Sequence, residues 1–339
     1  MNGPERDDDA DDRWGDADGT DGANDQTVDG WEFDDSSPQS ANPAEQGDSD
    51  EPGDPPAQDD GSMFPNAGPD AVRNWTALLA TLAAVSFISA VTTFVVYDVM
   101  MATLGAAVLG SGLVLAAVVS RSVFPQILHA LSDAWAEHRR YVSFSGGLFA
   151  LGIASGVALA AAGVDLTELF MELILEEFGE EELNGVGGEP SGLEGEGQIE
   201  LSAMFFILNN TPPYLASILG ALTLGLFTFF VMTFNGLIVG NIAVAIGADV
   251  GYGLIIALLV PHGIFELTAL FIAAGVGFRF LYRAGERITG KRSALFTKPY
   301  LARTTLLVIF GWLMLVVAAF VEAYLTIPIA ELFFPGQAE

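Results

Sequence analysis

A histidine and a glutamate stand one helical turn apart inside one of the most apolar stretches of the chain. The stretch reads VPHGIFEL (260–267) and places His262 four residues before Glu266. Side chains at positions i and i+4 share one helix face, and imidazole and carboxylate are both zinc ligands. Ionisable groups are costly in an apolar segment, so each needs a partner or wet surroundings. This pair is the first candidate for chemistry.

Several kinds of site could use the pair. A zinc site needs further ligands, and the sequence offers Asp249 and the acids of an outer loop. General acid–base catalysis needs a nucleophile; no Ser or Cys motif is present, and no motif singles out Thr211 or Thr268 for that role. We favour a polar cluster that ties neighbouring helices together, with Glu266 orienting His262, and a polar permeation pocket is a further alternative. We therefore assign no catalytic residue, metal or cofactor.

Long apolar segments must position these residues. The chain has 339 residues, 51% of them apolar, and a formal net charge of −30. Windows of about 20 apolar residues predict transmembrane helices. Seven such windows occur, at 75–97, 100–119, 143–163, 212–234, 236–260, 262–282 and 304–327. The sequence therefore predicts an all-α, polytopic transmembrane bundle of about seven spans.

The acidic residues are concentrated outside those windows. Residues 1–72 predict a disordered acidic cytoplasmic tail, because they hold too few apolar side chains to form a core. Residues 164–202 predict an acidic extracytoplasmic loop. Between and after these segments we expect an N-terminal transmembrane hairpin at 73–120 and a five-span domain at 121–339.

Basic residues set the predicted orientation in the cell membrane. With seven spans and a cytoplasmic N-terminus, all 13 Lys and Arg residues fall on the cytoplasmic side, as the positive-inside rule requires. The C-terminus is then extracytoplasmic. The amphipathic stretch 124–141 should lie along the inner membrane surface, anchored by Trp135 and two arginines. No basic patch for nucleic acid is present, so the expected partners are lipid and other membrane proteins.

The same topology brings polar residues to one membrane level. The segments FILNNTPPY (206–214) and PHG (261–263) would begin two spans at the outer face, with a proline in each first turn. Asn210 would cap the helix that Pro212 begins. The carboxylate of Asp249, inside the fifth span, should face a partner or a cavity. The expected polar cluster consists of Asn209, Asn210, Asp249, His262 and Glu266.

Glycines recur at helical spacing along the fifth span. They form two GxxxG pairs, Gly236 with Gly240 and Gly247 with Gly251, within an arc of roughly 60°. Such a face lets another helix approach closely. We expect helix packing there, and assembly of the chain with itself or with partners through this face.

Three motifs in fixed order resemble the stage II sporulation protein M family. They are FILNN (206–210), FNGLIVGN (234–241), and PHGIFEL (261–267) followed by AAGVGF (273–278). Asn235, Pro261 and Gly263 are further motif positions. The resemblance covers roughly 120–330, so the acidic tail and first hairpin are additions. It implies a multi-pass membrane protein without established enzymatic activity.

The resemblance also implies a scaffold role, which spore-forming bacterial members perform for cell-wall hydrolases. Lys occurs only at 291 and 298 while Asp is abundant, a bias typical of halophilic, haloarchaeal proteins, which have no peptidoglycan hydrolases as partners. The sporulation role therefore does not carry over. A membrane scaffold or remodelling component is the favoured hypothesis. The alternative is a small-solute or ion transporter or channel that uses Asp249, His262 and Glu266.

Overall fold

Every regular element that can be described is a helix, as the apolar segments predict. The computed structural model describes residues 69–167, 169 and 202–337. Most of the expected acidic tail and of the expected loop 164–202 lies outside these residues, so both stay predictions.

Within the described residues, eight α-helices follow one another along the chain. They are α1 (Pro69–Thr92, continued by a π-helical turn, Thr93–Tyr97), α2 (Met100–Ser122), α3 (Pro125–Ala161), α4 (Ala203–Leu219, followed by a 3₁₀ turn, Gly220–Thr223), α5 (Leu226–Val250), α6 (Tyr252–Ile288), α7 (Lys298–Tyr324) and α8 (Thr326–Phe333).

Six of these helices are long and apolar enough to cross a membrane, namely α1 with its π-helical turn, α2, α3, α5, α6 and α7. By length and composition the chain is therefore a multi-pass membrane protein. Helix α4 has 17 residues before its 3₁₀ turn, and a seventh crossing through α4 stays a prediction.

The turns that separate α4, α5 and α6 differ from the expected ones. Leu224 and Gly225, with φ of 54° and 79°, join α4 to α5, and Gly251, with φ of 97°, joins α5 to α6. The expected boundaries near 234–236 and 260–262 are therefore wrong. Hydropathy could not locate these turns because 203–282 is almost uniformly apolar. Glycine suits both turns because it adopts the left-handed conformation without steric cost.

Three prolines lie inside helices rather than at helix starts. Pro212 and Pro213 are in the interior of α4, and Pro261 is in that of α6. The expectation that Asn210 caps a helix is consequently wrong. Ser202 caps α4, and its hydroxyl accepts a hydrogen bond from the Phe205 N–H at 3.3 Å. Membrane helices tolerate interior proline because neighbouring groups satisfy the freed backbone carbonyls.

Helix α3 joins the expected surface helix 124–141 to the expected third span in one continuous element of 37 residues. The first half is not a separate surface helix, because Leu128, Leu131 and Ala134 are buried in the main hydrophobic core. A helix of this length extends about 55 Å, well beyond the roughly 30 Å of a bilayer interior. The charged residues of its first half can thus reach the membrane surface.

Helix α7 occupies the centre of the bundle. Its residues 314–321 are buried without interruption, which happens only when neighbours surround a helix on all sides. Helix α4 is fastened to it by two hydrogen bonds. The Tyr214 hydroxyl donates to the Val308 carbonyl at 2.6 Å, and the Trp312 indole N–H donates to the Thr211 hydroxyl at 3.2 Å.

Helices α3 and α5 touch backbone to backbone. Gly152 and Gly156 of α3 face Gly236 and Gly240 of α5, and all four are buried. A Cβ added to Gly236 would overlap the Phe149 carbonyl, and Cβ atoms on the other three would likewise overlap the facing backbone. At Gly236 and Gly240 the helix that packs against this face is α3 of the same chain. This part of the glycine face is therefore not free for assembly.

The second glycine pair serves the turn between α5 and α6. A Cβ on Gly247 would lie 2.6 Å from the Tyr252 ring, while Gly251 lies outside both helices in the left-handed conformation. The expected continuous stripe of four glycines on one helix is therefore wrong at Gly251.

We predict that Gly152→Ala lowers the unfolding temperature in detergent, as measured by size-exclusion thermal melts. The added methyl group meets the backbone of α5, and overpacking of this kind costs about 1–3 kcal/mol. Gly147→Ala in the same helix is the matched control, since a Cβ there meets nothing within 4 Å. The control should hold or raise the midpoint, because Ala favours helix over Gly by up to about 1 kcal/mol. Equal midpoints for the two variants would contradict the packing argument.

Candidate functional site

The candidate site is a cluster of three side chains at the α6–α7 contact. His262 and Glu266 lie one turn apart on α6, as expected, and Glu322 joins them from the last turn of α7. One nitrogen or oxygen atom from each residue lies within 4.8 Å of the others. His262 Nε2 lies 3.9 Å from Glu322 Oε1.

Thr326, the first residue of α8, orients the histidine ring. The Thr326 hydroxyl oxygen lies 3.3 Å from His262 Nδ1, and the same hydroxyl donates its hydrogen to the Val321 carbonyl at 3.2 Å. A hydroxyl has only one hydrogen. When that hydrogen goes to the Val321 carbonyl, the threonine oxygen accepts from the ring Nδ1–H, and Nε2 then faces the two carboxylates.

The cluster lies within α6, ten residues after its start at Tyr252. Glu266 is half-buried, and the side chains of His262 and Glu322 are 13% and 24% exposed to solvent. The expectation that residues 261–263 begin a span is wrong, because two and a half turns of α6 precede them. The cluster is thus partly accessible and partly enclosed.

The other expected members of the polar cluster lie elsewhere. Asn209 and Asn210 are half-buried within α4, and Asp249 is exposed near the end of α5. Among the described residues, none of these three forms a hydrogen bond or ion pair with His262 or Glu266. Pro261 and Gly263 flank the histidine, and a Cβ on Gly263 would meet nothing within 4 Å. That face of α6 is open beside Glu266.

Two asparagines of α5 have structural partners. Asn241 is fully buried, and its amide donates to the carbonyls of Gly156 and Val164 while its oxygen accepts from the Leu166 N–H. It thereby satisfies backbone groups where α3 ends. Asn235 is exposed, and its amide donates to the Val231 carbonyl of its own helix at 2.8 Å.

Sequence reasoning missed Glu322, and it restricted further ligands to Asp249 and the loop acids. A signal was available, because Glu322 is the only charged residue in the apolar window 304–327. An ionisable residue in such a position marks a functional site by default. Its contact with His262 depends on how α6 and α7 pack, which spacing along the chain does not reveal.

A second polar cluster lies at the opposite end of α6. Glu137 of α3 accepts from Arg279 at 3.1 and 2.7 Å and from Arg283 at 3.0 Å. Arg283 also donates to the Leu295 carbonyl and lies 3.6 Å from the centre of the Tyr300 ring. One carboxylate thus fastens α3 to α6, while Arg283 joins both to the start of α7.

A shallow groove adjoins this cluster. Its volume is about 400 Å³, and its lining is almost entirely apolar. The residues that line it are Arg140, Tyr141, Phe144, Phe278, Leu281 and Tyr282. Arg279, beside the groove, is paired with Glu137, whereas Arg140 is exposed.

We predict that Glu137→Gln destabilises the protein by about 1.5–3 kcal/mol, the usual value of hydrogen bonds to charged groups. The change leaves two largely buried arginines without their carboxylate, since Arg279 and Arg283 retain only 11% and 4% exposure. Thermal melts in nanodiscs measure the effect. Asp70→Asn, which breaks the exposed ion pair with Arg73, is the control and should leave the midpoint unchanged. An equally small effect at Glu137 would show that its hydrogen bonds to Arg279 and Arg283 do not stabilise the fold.

Comparison with known proteins extends the sequence argument. Residues 145–327 match the Stage II sporulation protein M family. An uncharacterized protein of Methanocaldococcus jannaschii is 32% identical over 136 residues, which cover 39% of this chain and 75% of the relative. A second uncharacterized protein of that archaeon is 30% identical over 116 residues, which cover 33% of this chain and 51% of the relative. No solved structure is significantly similar.

The matched region runs from the middle of α3 to the start of α8 and includes both α6 and α7. Helices α1 and α2 precede it. The match covers more than half of the chain and contains the three motifs that carried the resemblance. The chain belongs to the stage II sporulation protein M family.

Proposed function

We propose that this protein is a non-enzymatic membrane scaffold, a helical body that holds other membrane proteins or further copies of itself in place. The observation that carries the proposal is the filled centre of the bundle. Residues 314–321 of α7 are buried on every side, and α3 contacts α5 through backbone atoms. A rigid body of this kind suits the scaffold role that the family resemblance implies.

The transporter alternative expects Asn235, Asn241, Asp249, His262 and Glu266 to line one cavity. Asn241 is instead engaged with the end of α3, Asn235 bonds to its own helix, and Asp249 is exposed. These residues do not converge on a common space. The scaffold proposal is therefore the better supported of the two.

The proposed scaffold needs a contact surface other than the glycine face. Helix α2 offers one, since its buried residues Ala106, Gly110 and Leu113 pack inward. Its opposite side exposes large apolar side chains at heptad spacing, namely Met101, Leu104, Val108, Leu115 and Val118. Apolar side chains at this spacing are the pattern by which one helix packs along another.

We also propose the orientation with a cytoplasmic N-terminus and seven crossings. The turn at Gly225 packs against Phe278 and Leu281, close to Arg279. The start of α4, at Ala203, belongs to a hydrophobic cluster with Phe320 and Tyr324 at the other end of α7. A seventh crossing by α4 and its 3₁₀ turn would keep the basic segments together on one side, as the positive-inside rule requires.

Single cysteines test this orientation directly, since the chain contains no cysteine. We predict that Gln337→Cys in intact cells reacts with a membrane-impermeant maleimide, whereas Ser293→Cys reacts only after the membrane is permeabilised. Both positions are exposed, so access to the thiol depends on the side of the membrane. Labelling of both cysteines in intact cells would rule out an odd number of crossings between them.

Photo-crosslinking tests the scaffold proposal. We predict that a photoreactive amino acid at Val108, which is 70% exposed, gives discrete protein adducts in native membranes. The same group at Leu113, on the inward face and 2% exposed, should crosslink only within the chain. An adduct of twice the mass would identify self-association, and a larger or smaller adduct would identify a partner.

Two outcomes would overturn the scaffold proposal. Crosslinks from Val108 to lipid alone would leave the α2 stripe without a protein partner. Solute or ion flux through proteoliposomes that is lost on Glu266→Gln would instead establish a transporter.

A further inference from the structure

We propose that His262, Glu266 and Glu322 bind one divalent transition-metal ion of the zinc class between α6 and α7. This inference goes beyond the scaffold role and does not depend on it. Glu322 supplies the third ligand, without which His262 and Glu266 alone would not complete a metal site.

The separations between ligand atoms suit an ion better than a direct hydrogen bond. His262 Nε2 and Glu322 Oε1 lie 3.9 Å apart. This separation exceeds the range of about 2.7–3.2 Å that is usual for a hydrogen bond. Two ligands of a tetrahedral zinc ion, each about 2.0–2.2 Å from the metal, lie roughly 3.4 Å apart. All three ligand atoms already fall within 4.8 Å of one another. Carboxylate rotations that shorten these separations by up to about 1.4 Å would close the site.

The hydrogen bond to Thr326 independently points to a ligand at Nε2. When the threonine hydroxyl donates to the Val321 carbonyl, it accepts from His262 Nδ1. The neutral ring then directs the Nε2 lone pair toward a carboxylate oxygen, and two electron-rich atoms face each other. A cation between them resolves this conflict. A hydrogen bond from the second ring nitrogen is also the usual way in which a metal-bound histidine is oriented.

Charge provides the third argument. Glu266 and Glu322 share one partly enclosed site, and among the described residues neither carboxylate forms an ion pair with Lys or Arg. Two such carboxylates in an apolar bundle need a positive partner or protons. A divalent ion supplies the full compensating charge.

The ligand types select the class of ion. One imidazole with two carboxylates favours zinc and neighbouring transition metals over Mg²⁺ and Ca²⁺, which prefer oxygen ligands alone. Three protein ligands leave at least one coordination position for water or another group. The exposure of His262 and Glu322 and the open face at Gly263 provide access for the ion.

The purified full-length protein in nanodiscs tests the proposal. After treatment with a chelator, Co²⁺ serves as a spectroscopic probe and Zn²⁺ as its competitor. We expect one equivalent of Co²⁺ with the intense visible absorption of a tetrahedral site, displaced by one equivalent of Zn²⁺. Zn²⁺ should also raise the unfolding temperature, because an ion that binds only the folded state stabilises it.

Variants assign the ligands. Glu322→Gln keeps the side-chain shape and removes the charge, and it should weaken Zn²⁺ binding at least about ten-fold and abolish the Co²⁺ spectrum. Asp249→Asn, an exposed acid outside the cluster, is the matched control and should bind as the wild type does. Weak binding by the remaining acids of the chain is common to all variants and cancels in the comparison.

Two results would overturn the proposal. One is equal Zn²⁺ affinity in the wild type and Glu322→Gln. The other is a wild-type protein with no tetrahedral Co²⁺ spectrum and no thermal shift, in which case protons alone compensate the carboxylates. If Glu322→Gln does not fold, Glu266→Gln and the wild-type spectrum decide the question.

Discussion

The close approach of α3 and α5 is the constraint on which the rest of the structure depends. Glycines on both helices bring their backbones into contact, and in lipid this packing replaces the hydrophobic effect as the force between helices. It fixes α5 so that Asn241 reaches the backbone groups where α3 ends. Because α5 then ends at Gly251, the start of α6 is fixed as well, and with it the position of His262 along α7.

The sequence predicted the helical class and the membrane segments because both follow from composition over windows of about 20 residues. The turns inside 203–282 depend on single residues. Hydropathy could not mark them, because polar and apolar segments do not alternate there. Pro212 and Pro261 suggested helix starts by the rules of soluble proteins, but both lie inside helices. Gly225 and Gly251 make the turns, and nothing in their local sequence distinguishes them from the glycines that pack against α3.

The candidate site was predictable only in part for a related reason. His262 and Glu266 could be paired because helical spacing is a local rule. Their partner Glu322 comes from a different helix, and only the packing of α6 on α7 brings it near. Asn209 and Asn210 share the predicted membrane level of the pair, yet level alone does not decide which face of a helix a side chain occupies. Thr326 was not foreseen because it lies on α8, which begins only after α7 ends.

Polar contacts join α6 and α7 at two separated levels. At one level His262 and Glu266 meet Glu322, and at the other Arg283 lies against Tyr300 while also reaching Glu137 of α3. An α-helix is stiff over this length, so two fixed points determine the crossing of the pair more firmly than either alone. The apolar centre between them, around Ile272 and Leu315, contributes packing without fixing rotation. The apolar surfaces of the two helices would accept several registers. The directional polar contacts at the two levels therefore specify which register forms.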